Sequence, residues 1–144
     1  MFNSILLPID LSAEASWARA APLAVKMAKD DAIPLHVATV IPDFGASMVG
    51  QYFEPGFEKQ ALHRTGEELA AWVAQHIPEG IEVHPHVLHG SVYDEILKAA
   101  DQLSVDAIVM GSHRPELKDY LLGPNAARVV RHANQSVFVV RGDA

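Results

Sequence analysis

Short, almost continuously apolar segments recur along this chain, and helical patterns lie between them. The segments are residues 4–9, 34–41, 106–110 and 137–140. Continuous hydrophobicity is typical of a strand that is covered on both faces, as in a parallel sheet. Parallel strands need crossover connections, and helices usually supply them. The pattern therefore predicts an α/β fold in which helices cover both faces of a parallel sheet.

A further strand is predicted at an edge of this sheet. Ile81, Val83 and Val87 alternate with polar residues, and Pro85 lies between them. A proline has no N–H to donate, so within a sheet it is confined to edge strands and bulges. This segment should therefore pair with one neighbour only.

The helices are predicted from apolar residues three and four positions apart. We expect Ser12 to be the N-cap of the first helix and Pro22 to bend it. The third helix should begin at the segment from Ser91 to Asp94, which matches a capping box. The residues that mark the four helices are Trp17, Ala20, Ala21, Ala24 and Ala28; Leu62, Leu69, Trp72, Val73 and Ile77; Val92, Ile96, Ala99, Ala100 and Leu103; and Ala126, Val129, Val130 and Ala133.

Residues 42–56 show no clear period and are rich in glycine, proline and aromatic residues. A loop of this length in a compact domain is often a lid or a binding loop. Our hypothesis is that this loop, with Phe44, Met48, Tyr52 and Phe53, shields a ligand cleft or a subunit interface.

Length and composition restrict the class of protein further. The chain has 144 residues, the size of one domain, so residues 1–144 are treated as a single domain. It has no cysteine, which excludes thiolate chemistry and thiolate metal sites. Its net charge of −7 argues against a nucleic-acid or anionic-membrane partner. No apolar run approaches the ~20 residues of a membrane span, and no basic segment typical of a signal peptide opens the chain, so a cytoplasmic location is expected.

The ends of the predicted strands indicate where a ligand would bind. In open α/β sheets, ligands lie beyond the carboxyl ends of the strands, where the strand order reverses. Those ends are Asp10, Val40 with Ile41, and Gly111. Gly111 and Gly123 flank a segment that leads to a helix N-terminus, whose unpaired N–H groups attract anions. A turn at Gly111 and a helix start with Pro124 as its first residue explain the same glycines without a ligand.

Three parts of the chain resemble the universal stress protein family. They are Ile5-Leu6-Leu7-Pro8-Ile9-Asp10, the run from Asp106 to His113, and the end from Leu121 to Arg141. The sequences around Gly111-Ser112-His113 and Leu121-Leu122-Gly123 are similar to those of the F/G-type branch of the family. The resemblance implies a Rossmann-like sheet of five parallel strands in the order 3-2-1-4-5. It also implies a homodimer paired through the last strand, from Val137 to Arg141.

The resemblance further implies a stress-response protein that binds an adenine nucleotide and acts as a dimeric switch on a protein partner. In ATP-binding relatives, the acid after the first strand and the end of the second strand hold ribose and adenine, and the glycine loop holds the phosphates. ATP or AMP is the implied ligand, and any Mg²⁺ would bind through the phosphates. The corresponding residues are Pro8, Ile9, Asp10 and Val40 for the nucleoside, and Met110, Gly111, Ser112, His113, Arg114, Gly123 and Asn125 for the phosphates.

The phosphate loop departs from the family pattern, Gly-x2-Gly-x9-Gly-Ser/Thr. Arg114 stands at the second glycine, Gly111 and Gly123 are twelve positions apart rather than thirteen, and Pro124 replaces the Ser or Thr. Each lost charge-assisted donor would weaken phosphate binding by roughly 1.5–3 kcal/mol. The guanidinium of Arg114 can replace the lost donors, because it can donate two parallel hydrogen bonds to one phosphate.

Two other functions stay open at this point. An enzyme that slowly hydrolyses ATP or phosphorylates itself needs a placed general base or a pair of carboxylates, and no pattern in the sequence indicates one. Ser112 beside His113 lacks the Gly-x-Ser-x-Gly turn of hydrolases, so no catalytic residue is predicted. A nucleotide-free interaction module would be favoured by Pro124 and Arg114.

The histidines of the edge strand are candidate metal ligands. His84 and His86 should share one face of that strand, as a metal pair requires, and His89 follows them. No carboxylate or third ligand stands at a recognised spacing. The sequence therefore predicts no metal site here.

Overall fold

The protein folds as five parallel strands with helices on both faces, as expected. The structure is a computed structural model that describes residues 1–42, 56–112 and 123–142. Its strands lie in the order β3-β2-β1-β4-β5, which confirms both the fold class and the strand order. The strands are β1 (Ile5–Ile9), β2 (Leu35–Pro42), β3 (Val83–Gly90), β4 (Ala107–Gly111) and β5 (Ser136–Val140), and the helices are α1 (Ala20–Asp31), α2 (Phe57–His76), α3 (Val92–Gln102) and α4 (Pro124–His132).

Two apolar layers hold the helices against the sheet. On one face, α1 and α2 pack through Ala24 and Trp72 against Leu7. On the other face, α3 and α4 pack through Ile96 and Val129 against a set that includes Leu6. Because Leu6 and Leu7 point to opposite faces and are both fully buried, β1 has to be apolar throughout. Full burial of each such side chain contributes roughly 1.5–3 kcal/mol.

Helix α1 begins later than predicted, at Ala20. The expectation that Ser12 caps it is wrong, because the Ser12 side chain turns back and its Oγ donates to Asp10 Oδ1 at 2.6 Å. A single 3₁₀ turn, Glu14–Ser16, fills the gap before the helix. Pro22 is therefore the third residue of α1, in the first helical turn, where proline is tolerated.

The edge strand β3 confirms the prediction made from Pro85. The N–H of Leu35 donates to Glu82 O at 2.8 Å, and alternate residues of a parallel strand bond to the same neighbour. His84 and His86 therefore turn their backbones to β2, and Pro85 turns its backbone away from the sheet. The missing N–H of Pro85 thus costs no ladder hydrogen bond.

The other predicted elements differ from the observed ones mainly at their ends. Leu62 is 38% exposed, so it lies outside the buried stripe of α2 that Leu69 and Trp72 form. Ser91 is the N-cap of α3 as predicted, yet its side chain makes no capping hydrogen bond. Pro42 still belongs to β2, and the loop residues Phe44, Met48, Tyr52 and Phe53 lie outside the described residues. No helix in the described ranges has the length and apolar character needed to cross a membrane.

Three histidines lie together on the α3 side of β2 and β3. His36 and His84 are direct partners in the strand register, and the ring of His36 stacks 5.1 Å from those of His84 and His86. His36 Nδ1 and His86 Nε2 share a hydrogen bond of 2.9 Å. Burial lowers the pKa of both His36 and His86, and the neighbouring imidazoles lower it further, while Glu82 opposes this effect at His36. Protonating His36 or His86 is therefore harder in the folded protein than in the unfolded chain.

We predict that acid destabilises the protein through this group. An unfolded histidine titrates near pH 6.5, so below that pH the unfolded chain binds more protons than the folded protein and the free energy of unfolding falls. Urea unfolding at pH 7.5 and pH 5.0, with a chelator present, should show a smaller drop for His36→Asn than for the unchanged protein. His63→Asn, which alters an exposed histidine of α2, is the matched control and should leave the drop as it is. An equal drop in all three proteins would contradict the assignment.

Candidate functional site

A cleft opens at the carboxyl end of the sheet, where β1 and β4 separate. In the described residues, β1 pairs with β2 over its full length but with β4 only at Ile5 and Leu6. The strand order reverses at this point, which is where ligands of such sheets bind. The cleft has a volume of about 620 Å³, within the ~300–1,000 Å³ of small-molecule sites. The gap between the two central strands is thus large enough for a nucleotide-sized ligand.

The cleft brings together most of the residues expected to bind a nucleotide. The predicted residues that line it are Pro8, Ile9, Asp10, Val40, Met110, Gly111, Ser112, Gly123 and Asn125. His113 and Arg114 lie outside the described residues. The lining residues that sequence reasoning missed are Ser12, Ala13, Ser16, Pro42, Val92, Ile96, Pro124 and Ala126.

The turn after β1 fixes the carboxylate of Asp10 at the mouth of the cleft. Asp10 Oδ1 accepts hydrogen bonds from the N–H and the Oγ of Ser12, at 2.9 Å and 2.6 Å. The N–H of Asp10 donates to Ser16 Oγ at 2.9 Å. Among the described residues, no hydrogen bond reaches Oδ2 of this exposed side chain. The turn therefore holds the carboxylate in place and leaves one oxygen for a hydroxyl of a ligand.

Gly111, at the end of β4, packs directly against this turn. A Cβ atom built on Gly111 would lie 2.6 Å from the carbonyl oxygen of Ser16. At this distance one of the two backbone segments would have to move. The need for glycine at this position thus comes from the close approach of two backbone segments. Gly111 is required to bring Asp10 and Ser112 to the same cleft, which is a structural reason that the sequence did not reveal.

The N-terminus of α4 faces the cleft with amide groups that the helix itself does not use. Gly123 is its N-cap, with no side-chain capping bond, and Pro124 is its first residue. The first intrahelical bond runs from the N–H of Ala127 to Gly123 O at 2.9 Å. The N–H groups of Asn125 and Ala126 are therefore not used by the helix. Such groups, with the positive end of the helix dipole, attract an anion.

The N-terminus of α3 lies at the same cleft but is less suited to an anion. Its first turn contains Asp94 and Glu95, whereas the first turn of α4 contains no acidic residue. What α3 adds to the cleft is apolar surface from Val92 and Ile96. The cleft therefore has an apolar side near α3 and an anion-attracting side at α4.

The lining residues that were not predicted lie in segments where the predicted ends of the helices differ from the observed ones or were not considered as part of the cleft. Ser12 and Ser16 belong to the turn that was expected to be helix. Val92 begins the helix that follows β3, and the rule that points to strand ends also points to the helices that start there. That rule would have found Val92, whereas the close contact of Ser16 with Gly111 has no local signal.

The chain belongs to the universal stress protein family. The model of the Universal stress protein family matches residues 1–141, which confirms the resemblance. The chain is similar to Universal stress protein G of Shigella flexneri, with 32% identity over 143 residues that cover 98% of this chain and 100% of that protein. The name of this relative agrees with the similarity of the segments around Gly111 and Gly123 to the F/G-type branch.

Solved structures share the fold over nearly the whole chain. The structure of hypothetical protein MJ0577, from Methanocaldococcus jannaschii, is similar with a TM-score of 0.73 and 27% identity, and covers 100% of this chain and 99% of that one. A universal stress protein in complex with cAMP has a TM-score of 0.62 and 20% identity, covering 99% and 98% of the two chains. The universal stress protein from Archaeoglobus fulgidus in complex with dAMP has a TM-score of 0.58 and 23% identity, and the match covers 95% of this chain and 96% of that one.

We predict that Gly111→Ala lowers the free energy of unfolding by about 1–3 kcal/mol, because the added methyl overpacks the contact with Ser16. The matched control is Gly66→Ala in α2, where a Cβ would lie 4.0 Å from the Val87 side chain. That substitution should stabilise the protein by about 0.5–1 kcal/mol, since glycine inside a helix is unfavourable. Urea unfolding measures both changes, and a Gly111→Ala protein as stable as the parent would refute the contact.

Proposed function

We propose that this protein is an adenine-nucleotide-binding regulator of the stress response, active as a homodimer that presents a nucleotide-dependent surface to a protein partner. The observation that carries the proposal is the composition of the cleft, which joins an apolar wall, a fixed carboxylate and an anion-attracting helix N-terminus. Two family structures in complex with cAMP and dAMP support an adenine nucleotide as ligand. A cytoplasmic location stays a prediction.

The asymmetry of the cleft gives the nucleotide an orientation. The base would lie on the apolar side, against Val40, Pro42 and Val92. A ribose hydroxyl would donate to Asp10, whose Oδ2 has no partner among the described residues. The phosphate would then reach the N–H groups of Asn125 and Ala126, which α4 leaves unbonded.

Replacement of the family's Ser or Thr by Pro124 weakens the phosphate side without removing it. Proline supplies neither a hydroxyl nor an N–H, so the first donor of α4 is lost. The next two N–H groups and the helix dipole are unaffected. We therefore expect a preference for a nucleotide with few phosphates, AMP over ATP, with any Mg²⁺ bound through the phosphates.

The first experiment identifies the ligand that the protein carries. The untagged protein is purified, denatured, and the released small molecules are identified by mass spectrometry. Release of AMP or ATP supports the proposed regulator. ADP together with free phosphate after incubation with ATP supports slow hydrolysis instead, and no nucleotide, with none bound on titration, supports a nucleotide-free interaction module.

We predict that Asp10→Ala weakens AMP binding at least tenfold, because a charge-assisted hydrogen bond to ribose is worth roughly 1.5–3 kcal/mol. Isothermal titration calorimetry measures the affinity. Asp30→Ala is the matched control, since Asp30 is an exposed acid of α1 that pairs with Lys26 and lies outside the cleft. Equal affinities in the two variants would place the ribose elsewhere.

The proposed dimer uses the outer edge of β5. The N–H of Ser136 donates to Asp106 O at 3.2 Å, and the N–H of Ser112 donates to Val140 O at 3.1 Å. By the alternation of parallel ladders, Val137 and Val139 turn their backbone groups away from β4. An edge strand with unpaired N–H and C=O groups is a template for a second chain.

We predict that Val139→Pro converts the dimer to a monomer. The substitution removes an N–H that points outward and leaves the ladder to β4 intact. The molar mass measured by light scattering should fall from that of two chains to that of one chain, 15.6 kDa. The circular dichroism spectrum should stay unchanged. Val87→Pro removes the equivalent outward N–H from β3, on the opposite edge, and should leave the dimer intact. Dissociation by both variants, or by neither, would contradict pairing through β5.

A further inference from the structure

The histidine group on β2 and β3 supplies the ligand that the sequence lacked for a metal site. His84 and His86 lie two residues apart on one strand, and a third ligand could not be named from spacing. Strand pairing brings His36 opposite His84, so that its ring lies 5.1 Å from both of the others. Three imidazoles from two strands thus share one surface.

Two of these rings already have a separation close to that of ligands on one ion. His36 Nδ1 and His86 Nε2 are 2.9 Å apart. Two nitrogens bound to a tetrahedral ion at ~2.0–2.1 Å would be about 3.3 Å apart. The nitrogens therefore have to separate by a few tenths of an ångström, and each ring has to tilt so that its lone pair points at the ion instead of at the other nitrogen. One nitrogen of the pair carries a proton at present. A change of tautomer moves that proton to the outer nitrogen of the same ring, and both rings then direct a lone pair to the ion.

The third ring has the support that a metal-binding histidine usually has. His84 Nε2 contacts Glu82 Oε2 at 2.7 Å. A carboxylate on one ring nitrogen fixes the tautomer and leaves the other nitrogen for the metal. The side chains of His84 and Glu82 are 46% and 65% exposed, so Glu82 can follow the ring when it turns towards the other two histidines.

We propose that His36, His84 and His86 form a binding site for a divalent transition-metal ion such as Zn²⁺, with Glu82 positioning His84 and water as the fourth ligand. Among the described residues, no three His, Asp or Glu side chains already surround one point. Binding therefore includes rotation of His84 from its stacked position onto the ion held by the other two rings. Imidazole ligands select Zn²⁺, Ni²⁺ or Cu²⁺ over Mg²⁺.

This site is separate from the nucleotide cleft. None of the three histidines lines the cleft, since His36 lies near the start of β2 and the cleft lies beyond its other end. Zinc binding and nucleotide binding can therefore be tested independently, and failure of one leaves the other standing.

The test is calorimetric titration of ZnCl₂ into the full, untagged and nucleotide-free chain at pH 7.5. We expect one Zn²⁺ per chain and no binding of MgCl₂. His36→Ala and His86→Ala should each weaken Zn²⁺ binding more than tenfold, and Glu82→Gln should weaken it about tenfold, as loss of a supporting carboxylate does. His63→Ala, in α2, should change nothing.

A second measurement uses the unaltered protein, in case a variant fails to fold. In protein labelled with ¹⁵N at histidine, Zn²⁺ should shift the ring-nitrogen signals of His36, His84 and His86 and leave those of His63 and His132 in place. Absence of Zn²⁺ binding, binding that survives both alanine variants, or shifts at other histidines would overturn the proposal.

Discussion

The early separation of β1 from β4 determines where this molecule can hold a ligand. These two strands are the most deeply buried of the sheet. In the part of the chain that the structure describes, they pair at only two positions, near their starts, and diverge towards their carboxyl ends. The turn after β1, the end of β4 and the start of α4 meet at the gap because parallel strands direct all their carboxyl ends to one edge.

The contact between Gly111 and the carbonyl of Ser16 sets how close the two sides of the gap come. It packs the turn after β1 directly against the end of β4, backbone to backbone. The carboxylate held by Ser12 is thereby placed beside the end of β4, in the cleft that the N-terminus of α4 also lines. The proposed nucleotide, with its ribose hydroxyls and its charged phosphate, carries groups that match both sides of this cleft.

Much of this architecture could be predicted from the sequence, because the buried strands are continuously apolar and the helices have clear stripes. Pro85 marked the edge strand for a physical reason that the ladder of hydrogen bonds confirms. The errors lie where side chains compete locally. Ser12 bonds to Asp10 instead of capping a helix, and α1 starts eight residues later than its predicted cap.

The parts of the sites that escaped prediction depend on contacts between distant segments. Ser16 meets Gly111 across the gap, and His36 meets His84 and His86 across two strands. No spacing along the chain encodes such meetings. The apolar residues Val92 and Ile96 looked like ordinary helix core, although they also form the wall of the cleft.

The two edges of the sheet are chemically different, and this difference limits how copies of the chain can add to one another. One border lacks an outward N–H at its proline, whereas the other keeps every alternate amide of a short valine-rich strand. A sheet that grows only at one border closes on itself after a single addition. Pro85, which has no N–H to present on the outer side of β3, thus makes that border a poorer template for a further chain than the border at β5.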